Sequence, residues 1–111
     1  ISEKMCFLLE DNGFEIGAAA TFGEGRDSIV GCIHPQSILD AIDAIISSAT
    51  IPLDAIFISC TSLKCALIIA IAEAQYGIPV ISSNSAIAWD MARLARLAMP
   101  ENEKGLLFQQ D

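Results

Sequence analysis

Asp54-Ala-Ile-Phe-Ile-Ser-Cys-Thr-Ser-Leu-Lys64 is the stretch that decides the fold. Four apolar residues in a row, Ala55 to Ile58, read as a strand buried on both faces, as in a parallel sheet covered by helices. The run stops at Ser59-Cys60-Thr61-Ser62, and the apolar residues from Leu63 to Tyr76 predict a long buried helix. Cys60 is thereby expected at the carboxyl end of a strand, beside the first unpaired N–H groups of a helix. In open α/β sheets that edge is where ligands bind. Free N–H groups and the helix dipole favour an anion there, either a substrate carboxylate or the thiolate itself.

Downstream, Gly77 and Pro79 end the helix. Ile78-Pro-Val-Ile81 reads as a short strand stopping at Ser82-Ser83-Asn84. A helix is predicted from about Ser85 to Ala98, with Ile87, Met91, Leu94 and Leu97 on one side and Pro100 as its stop. Glu101 to Lys104 reads as a charged loop and Gly105 to Phe108 as a last short strand. Upstream, Pro35 suits a helix first turn, and Ser37 with Asp40 has the capping-box spacing. Ile38, Ile42, Ile45 and Ile46 form one apolar stripe ending near Ser48. Phe14 to Phe22 reads as a strand weakened by Gly17 and alanines, followed by a polar loop from Gly23 to Ser28 on the same carboxyl edge as Cys60. Ser2 to Asn12 reads as an amphipathic helix stopped by Asn12-Gly13.

Alternation of strands and helices implies right-handed crossovers and a parallel sheet. The fold class is α/β: a three-layer parallel sheet flanked by helices. The chain opens in a helix, whereas a doubly wound domain normally places a strand, often a central one, before that helix. Either the sheet is unusually small or Ile1 is not the natural beginning; the second is favoured, and residues 1–111 are expected to be a single α/β lobe with its first strand missing, a fragment of a longer protein.

Composition narrows the function. The 111 residues suffice for one compact domain. With 53% hydrophobic and 18% charged residues, disorder is not expected. Fourteen acidic residues against six basic ones give a net charge of -8, which repels phosphate backbones and anionic lipid. Neither nucleic acid nor membrane is expected as a partner. The four cysteines, Cys6, Cys32, Cys60 and Cys65, carry no metal-ligand spacing, so no metal is expected. No basic region followed by an apolar core opens the chain, and the expected location is the cytoplasm with all thiols reduced.

Three phrases taken together carry a resemblance: Asp54 to Lys64, Gly77-Ile-Pro-Val-Ile-Ser-Ser-Asn84, and Ala88-Trp-Asp90 with Arg93-Leu94. Asp27-Ser-Ile-Val-Gly-Cys-Ile-His-Pro35 with Ser37-Ile38 fits as well. The chain resembles the carboxyl-terminal half of the Asp/Glu racemase superfamily, in its branch of maleate cis–trans isomerase, arylmalonate decarboxylase and ectoine-utilisation proteins. The resemblance covers residues 1 to about 108. It implies a cofactor-free enzyme with two pseudo-symmetric flavodoxin-like lobes, of which this chain is the carboxyl-terminal one, with one cysteine from each, acting on a small carboxylate between them. Cys60 matches the carboxyl-terminal-lobe cysteine; the other would lie in an amino-terminal lobe of the same protein. The resemblance also implies a strand ending in Thr-Pro-Tyr ahead of the first helix. An exposed lobe face of this kind favours association into a homo-oligomer. The branch often carries Asn near position 27 and Arg near position 32, where this chain has Asp27 and Cys32, and an aspartate would repel a substrate carboxylate. Cys-Thr-Ser favours the isomerase over the decarboxylase, whose matching phrase has glycines after the cysteine.

On this reading Cys60 is catalytic, as base and acid toward a planar intermediate or as a nucleophile on an unsaturated diacid. Negative charge then grows on a carboxylate. The N–H groups of Thr61, Ser62, Ser83 and Asn84 are the candidate donors to it, with the Thr61, Ser83 and Asn84 side chains adding hydrogen bonds. Asp27 is carried as a further substrate-contact position. The remaining cysteines read as small buried hydrophobes, His34 as a helix-start residue and Trp89 as packing. A cysteine phosphatase would need an arginine six residues after the cysteine, where Ala66 stands. No Gly-x-Ser-x-Gly elbow and no Cys-x-x-Cys is present. A non-catalytic module holding a small carboxylate on the same edge is the competing reading.

Overall fold

Ile38 and Ile42, one turn apart, are each only 2% exposed and anchor α3 (Pro35–Ser48) against the sheet. Burying such a side chain is worth about 1.5–3 kcal/mol, so packing holds this helix in place. Its start is fixed locally. Pro35 opens it, and the Nδ1 of His34 accepts the Gln36 N–H at 3.1 Å. The cap is therefore His34 and not the Ser37–Asp40 pair; Asp40 accepts instead from the Gln36 side chain at 2.9 Å.

The computed structural model describes residues 2–98 and 105–110. In order these form α1 (Ser2–Asp11), α2 (Asp27–Val30), α3, β1 (Ile56–Ile58), α4 (Ile69–Tyr76), β2 (Val80–Ser82) and α5 (Ser83–Leu94). A 3-10 turn, Leu106–Gln109, closes the described chain. β1 and β2 pair in parallel, with Ile56 opposite Val80 and Ile58 opposite Ser82. The architecture is α/β, a small parallel sheet flanked by helices. Ile56, Val80, Ile68 and Ala72 fill the core from the strands and from α4 with its lead-in. The predicted stop at Pro100 and the charged loop to Lys104 lie outside the described residues.

Three expectations are corrected. The predicted helix over Leu63 to Tyr76 begins only at Ile69. Before it, Cys65 N–H bonds to Leu63 carbonyl and Ile68 N–H to Cys65 carbonyl, while Leu63, Cys65 and Ile68 plug into the core from an irregular loop. An apolar run satisfies burial equally well as loop or helix, so hydrophobicity alone did not fix the boundary. The strand predicted over Phe14 to Phe22 does not form; residues 14–26 are irregular. A strand needs a neighbouring ladder, and among the described residues β1 is paired on one side only. The strand predicted over Gly105 to Phe108 is a 3-10 turn instead.

Glu73 explains the last correction. Its carboxylate is buried and accepts Val80 N–H at 2.9 Å and Leu106 N–H at 2.8 Å. The outward donor of β2 at Val80 is thus already used, so a strand at 105–108 could not pair with it there. Gly105 has φ +90, and a Cβ at this position would meet Ile69 at 2.7 Å and Glu73 at 3.1 Å. Only glycine fits this turn without strain. α4 ends at Gly77 (φ 71), whose N–H bonds to the Glu73 carbonyl at 2.8 Å.

Candidate active site

β1 ends at Ile58, and Ser59-Cys60 carries the chain over the carboxyl edge of the sheet into a turn at Thr61-Ser62. Cys60 is half-buried and packs against the rim of the core. The helix whose N-terminus lies on this edge is α5, not α4, which starts nine residues after Cys60. β2 pairs with β1 through Ser82 opposite Ile58, and α5 begins at the next residue.

A capping box fixes that start. Ser82 Oγ accepts Ser85 N–H at 3.1 Å, and Ser85 Oγ accepts Ser82 N–H at 2.9 Å. Such a cap is worth about 0.5–2 kcal/mol and explains why α5 begins two residues ahead of the predicted Ser85. Ser83 and Asn84 occupy the first turn, where N–H groups have no partner within the helix.

Asn84 Nδ2 reaches across to donate to the Thr61 carbonyl at 2.9 Å. This bond joins the loop after β1 to the helix after β2. Gly31 packs close beneath the same turn; a Cβ there would lie 3.7 Å from the Ser62 carbonyl. Asp27, exposed, opens α2 one turn earlier, its carbonyl accepting Gly31 N–H at 2.9 Å. Cys60, Thr61, Ser62, Ser83 and Asn84 thus share one edge, with Asp27 a helical turn behind Gly31. The Asn84 side chain spends one donor on the protein.

Two features escaped the sequence reading. Arg26 donates to both carboxylate oxygens of Glu24 at 2.9 Å each, within the polar loop ahead of α2. Arg26 beside it holds the Glu24 carboxyl below its usual value, and Glu24 in turn raises Arg26. The signal was a Glu-Gly-Arg triplet that places the two charges two residues apart, with Glu24 between Gly23 and Gly25. The second is Cys32, expected to be buried, which is exposed and donates its thiol to the Ser28 carbonyl at 3.3 Å. All four cysteines are free.

Burial pushes the Cys65 thiol up, and the neighbouring Cys60 charge adds to that shift. A thiol whose folded value exceeds its unfolded one contributes stability in full below the ordinary thiol range. That contribution is lost as pH rises through the ordinary and then the raised value. Folding stability of the protein should therefore fall on the alkaline side of the ordinary thiol value. Cys65→Val should flatten the decline in a series of chemical denaturations at increasing pH. An unchanged alkaline slope in that variant would refute the assignment.

Open concavities lie elsewhere on the chain. One of about 500 Å³ is lined by Glu3, Cys6, Phe7 and Ala19 to Thr21, another of about 270 Å³ by Ile46, Ile51, Leu53 and Tyr76; neither includes Cys60. Among the described residues no cluster of three metal-ligating side chains occurs, and no helix is long and apolar enough to cross a membrane.

The chain is similar to known proteins over nearly its whole length. The chain is 30% identical over 112 aligned residues to the maleate isomerase of Nocardia farcinica (strain IFM 10152), covering 100% of this chain and 43% of that protein. The crystal structure of arylmalonate decarboxylase superposes with a TM-score of 0.84 at 24% identity, covering 98% of this chain and 48% of that one. A glycine-to-cysteine mutant of arylmalonate decarboxylase in its sulfate-ion-associated form gives 0.77 at 25% identity, covering 97% and 46%. The chain thus spans a little under half the length of these relatives. The arylmalonate decarboxylase family pattern matches residues 1–108, and the chain belongs to that family.

Proposed function

We propose that this chain is the carboxyl-terminal lobe of a cofactor-independent isomerase of the maleate isomerase kind, with Cys60 as its thiolate nucleophile. The observation that carries the reading is the strand-end position of the half-buried Cys60. The Asn84–Thr61 bond ties the turn that follows it to the N-terminus of α5. The 30% identity to a maleate isomerase across the whole chain supports the choice of reaction. A facing lobe of the same protein would complete the pocket and bring the second thiol.

In the proposed reaction the Cys60 sulfur adds to one alkene carbon of an unsaturated diacid, and the π electrons move onto the adjacent carboxylate as an enediolate. The former double bond is now single and rotates. Collapse of the enediolate expels the thiolate and restores the alkene in the trans form. No atom is gained or lost. N–H donors of Thr61, Ser62, Ser83 and Asn84 would meet the growing charge, and such preorganised donors are worth about 2.7–4 kcal/mol each when removed. A second reading is supported by the family pattern: loss of carbon dioxide from an arylmalonate, with the Cys60 thiol protonating the resulting enediolate.

Proton NMR of the full-length protein with maleate tests the first reading, and phenylmalonate in a parallel tube tests the second. Conversion of the maleate olefinic signal to that of fumarate, without added cofactor, is expected. Phenylacetate formation alone would replace isomerisation by decarboxylation. Both substrates persisting unchanged would leave only a carboxylate-binding module.

A further inference from the structure

Arg26 is a fork already closed on a carboxylate. Its Nε and Nη2 donate to Glu24 Oε1 and Oε2 at 2.9 Å each, and its backbone N–H donates to Oε1 at 2.9 Å. A planar guanidinium and a planar carboxylate meet through two parallel bonds, the geometry by which arginine recognises carboxylates in general. The pair joins no two elements of the fold, since both residues lie in the loop ahead of α2, two positions apart. The Arg26 side chain is 71% exposed and that of Glu24 23%. A pair so open to water holds little of the fold together and exchanges partners readily.

The place of this loop gives the fork a use. The Arg26 carbonyl accepts the N–H groups of Ile29 and Val30, so Arg26 opens the single turn that ends at Gly31. Gly31 lies against the turn that follows Cys60, where a Cβ on it would be 3.7 Å from the Ser62 carbonyl. Five residues of helix rise only about 7.5 Å, a gap that an arginine arm and a four-carbon diacid together can bridge. Charge at this edge calls for such a group. Asp27, exposed beside Arg26, would repel a substrate carboxylate, and the chain carries a net charge of -8. The N–H groups around Cys60 serve the carboxylate that takes up the enediolate charge, which leaves the far carboxylate of a diacid without a partner. Lys64, exposed in the loop after Cys60, is a further cation near this edge, but it offers a point charge and no fork.

We infer that Arg26 binds the far carboxylate of the diacid and that Glu24 is an internal competitor for the same guanidinium. Two guanidinium–carboxylate bonds break to Glu24 and two form to the substrate, so the exchange is nearly even in hydrogen bonds. A diacid can engage the N–H groups and the fork together, whereas a monoacid must choose one of them. The inference deepens the proposed function and rests on it for the ligand class, a small diacid, but not for the chemistry of Cys60.

Succinate has no double bond to isomerise and so reads binding without turnover. In calorimetric titrations of the full-length protein, its Kd should be at least tenfold weaker in Arg26→Gln and about threefold tighter in Glu24→Gln, where the competing charge is gone. Opposite directions are the signature, because a purely structural pair would lose affinity alike from either side. With maleate, KM should move in the same two directions while kcat changes less than threefold. Binding that obeys Arg26 and Glu24 in a protein inert toward maleate would support the inference and remove only the isomerase. Succinate affinity within threefold of the wild type in Arg26→Gln would overturn it, whether or not Lys64→Gln weakens binding. Weaker binding in Glu24→Gln would overturn it too, as would a wild type that binds no succinate.

Discussion

Cys60→Ala in the full-length protein should lower kcat on maleate by about a thousandfold or more, within the range lost when a positioned acid–base or nucleophilic group is removed. Without sulfur no adduct forms, so rotation about the double bond has no low path. Cys60→Ser restores the shape but offers a hydroxyl that ionises far less readily, and it should recover little. KM should change by less than threefold in either variant, because the donors of Thr61, Ser62, Ser83 and Asn84 remain. The fold should survive, since Cys60 is half-buried at the rim and its removal opens no sealed cavity. Circular dichroism and urea midpoints beside the kinetics would separate lost chemistry from lost structure. A well-folded Cys60→Ala enzyme turning over within threefold of the wild type would end the thiolate mechanism.

Glu73→Ala should cost about 3–6 kcal/mol of folding stability, counting about 1.5–3 kcal/mol for each of its two hydrogen bonds to a charged acceptor. Its two oxygens satisfy Val80 N–H and Leu106 N–H, 33 residues apart along the chain from Glu73 in the second case. Alanine would leave the buried Val80 N–H and the part-buried Leu106 N–H without partners. Small domains hold only about 5–15 kcal/mol in total, so the variant should be partly unfolded at body temperature. Glu73→Gln keeps one carbonyl oxygen and points an amide at the other donor, so about half the loss should remain. Urea denaturation gives the comparison directly. A loss under about 1 kcal/mol in Glu73→Ala would mean that water replaces the carboxylate freely.

How far the fold was legible depends on where local signals and tertiary partners agree. α3 was read to its ends because Pro35, the isoleucine stripe and Thr50-Ile51-Pro52 all point the same way. β1, β2 and the Gly77 stop were legible from apolar runs bounded by turn residues, but β1 is not buried on both faces as expected, since Phe57 is 46% exposed. The start of α4 was not, because residues 63–68 are nearly all apolar, yet only Leu63, Cys65 and Ile68 are buried, and they are buried from a loop. The strand at Phe14 to Phe22 was read from composition, which cannot report whether a neighbour exists to pair with it. The closing strand failed because Glu73, a charged residue in an apolar helix, had already claimed Val80.

The site was legible in one dimension and incomplete in three. Strand-end logic placed Cys60, Thr61 and Ser62 beside Ser83 and Asn84, and those residues do share an edge. The helix start expected right after Cys60 is absent, since α4 begins only at Ile69, whereas the one expected after Ser82-Ser83-Asn84 is present as α5. The Glu24–Arg26 clamp was missed because the pair sits in an irregular glycine-containing loop, outside the three- and four-residue spacings at which helical ion pairs are read.

The Asn84–Thr61 bond also sets a route by which the protein would age. Slow hydrolysis of that amide in storage would turn the donor into a carboxylate, an acceptor-only group aimed at the Thr61 carbonyl oxygen. The two would push apart, the strand tips would drift independently, and old preparations would lose the alignment of Cys60 while their core stayed intact.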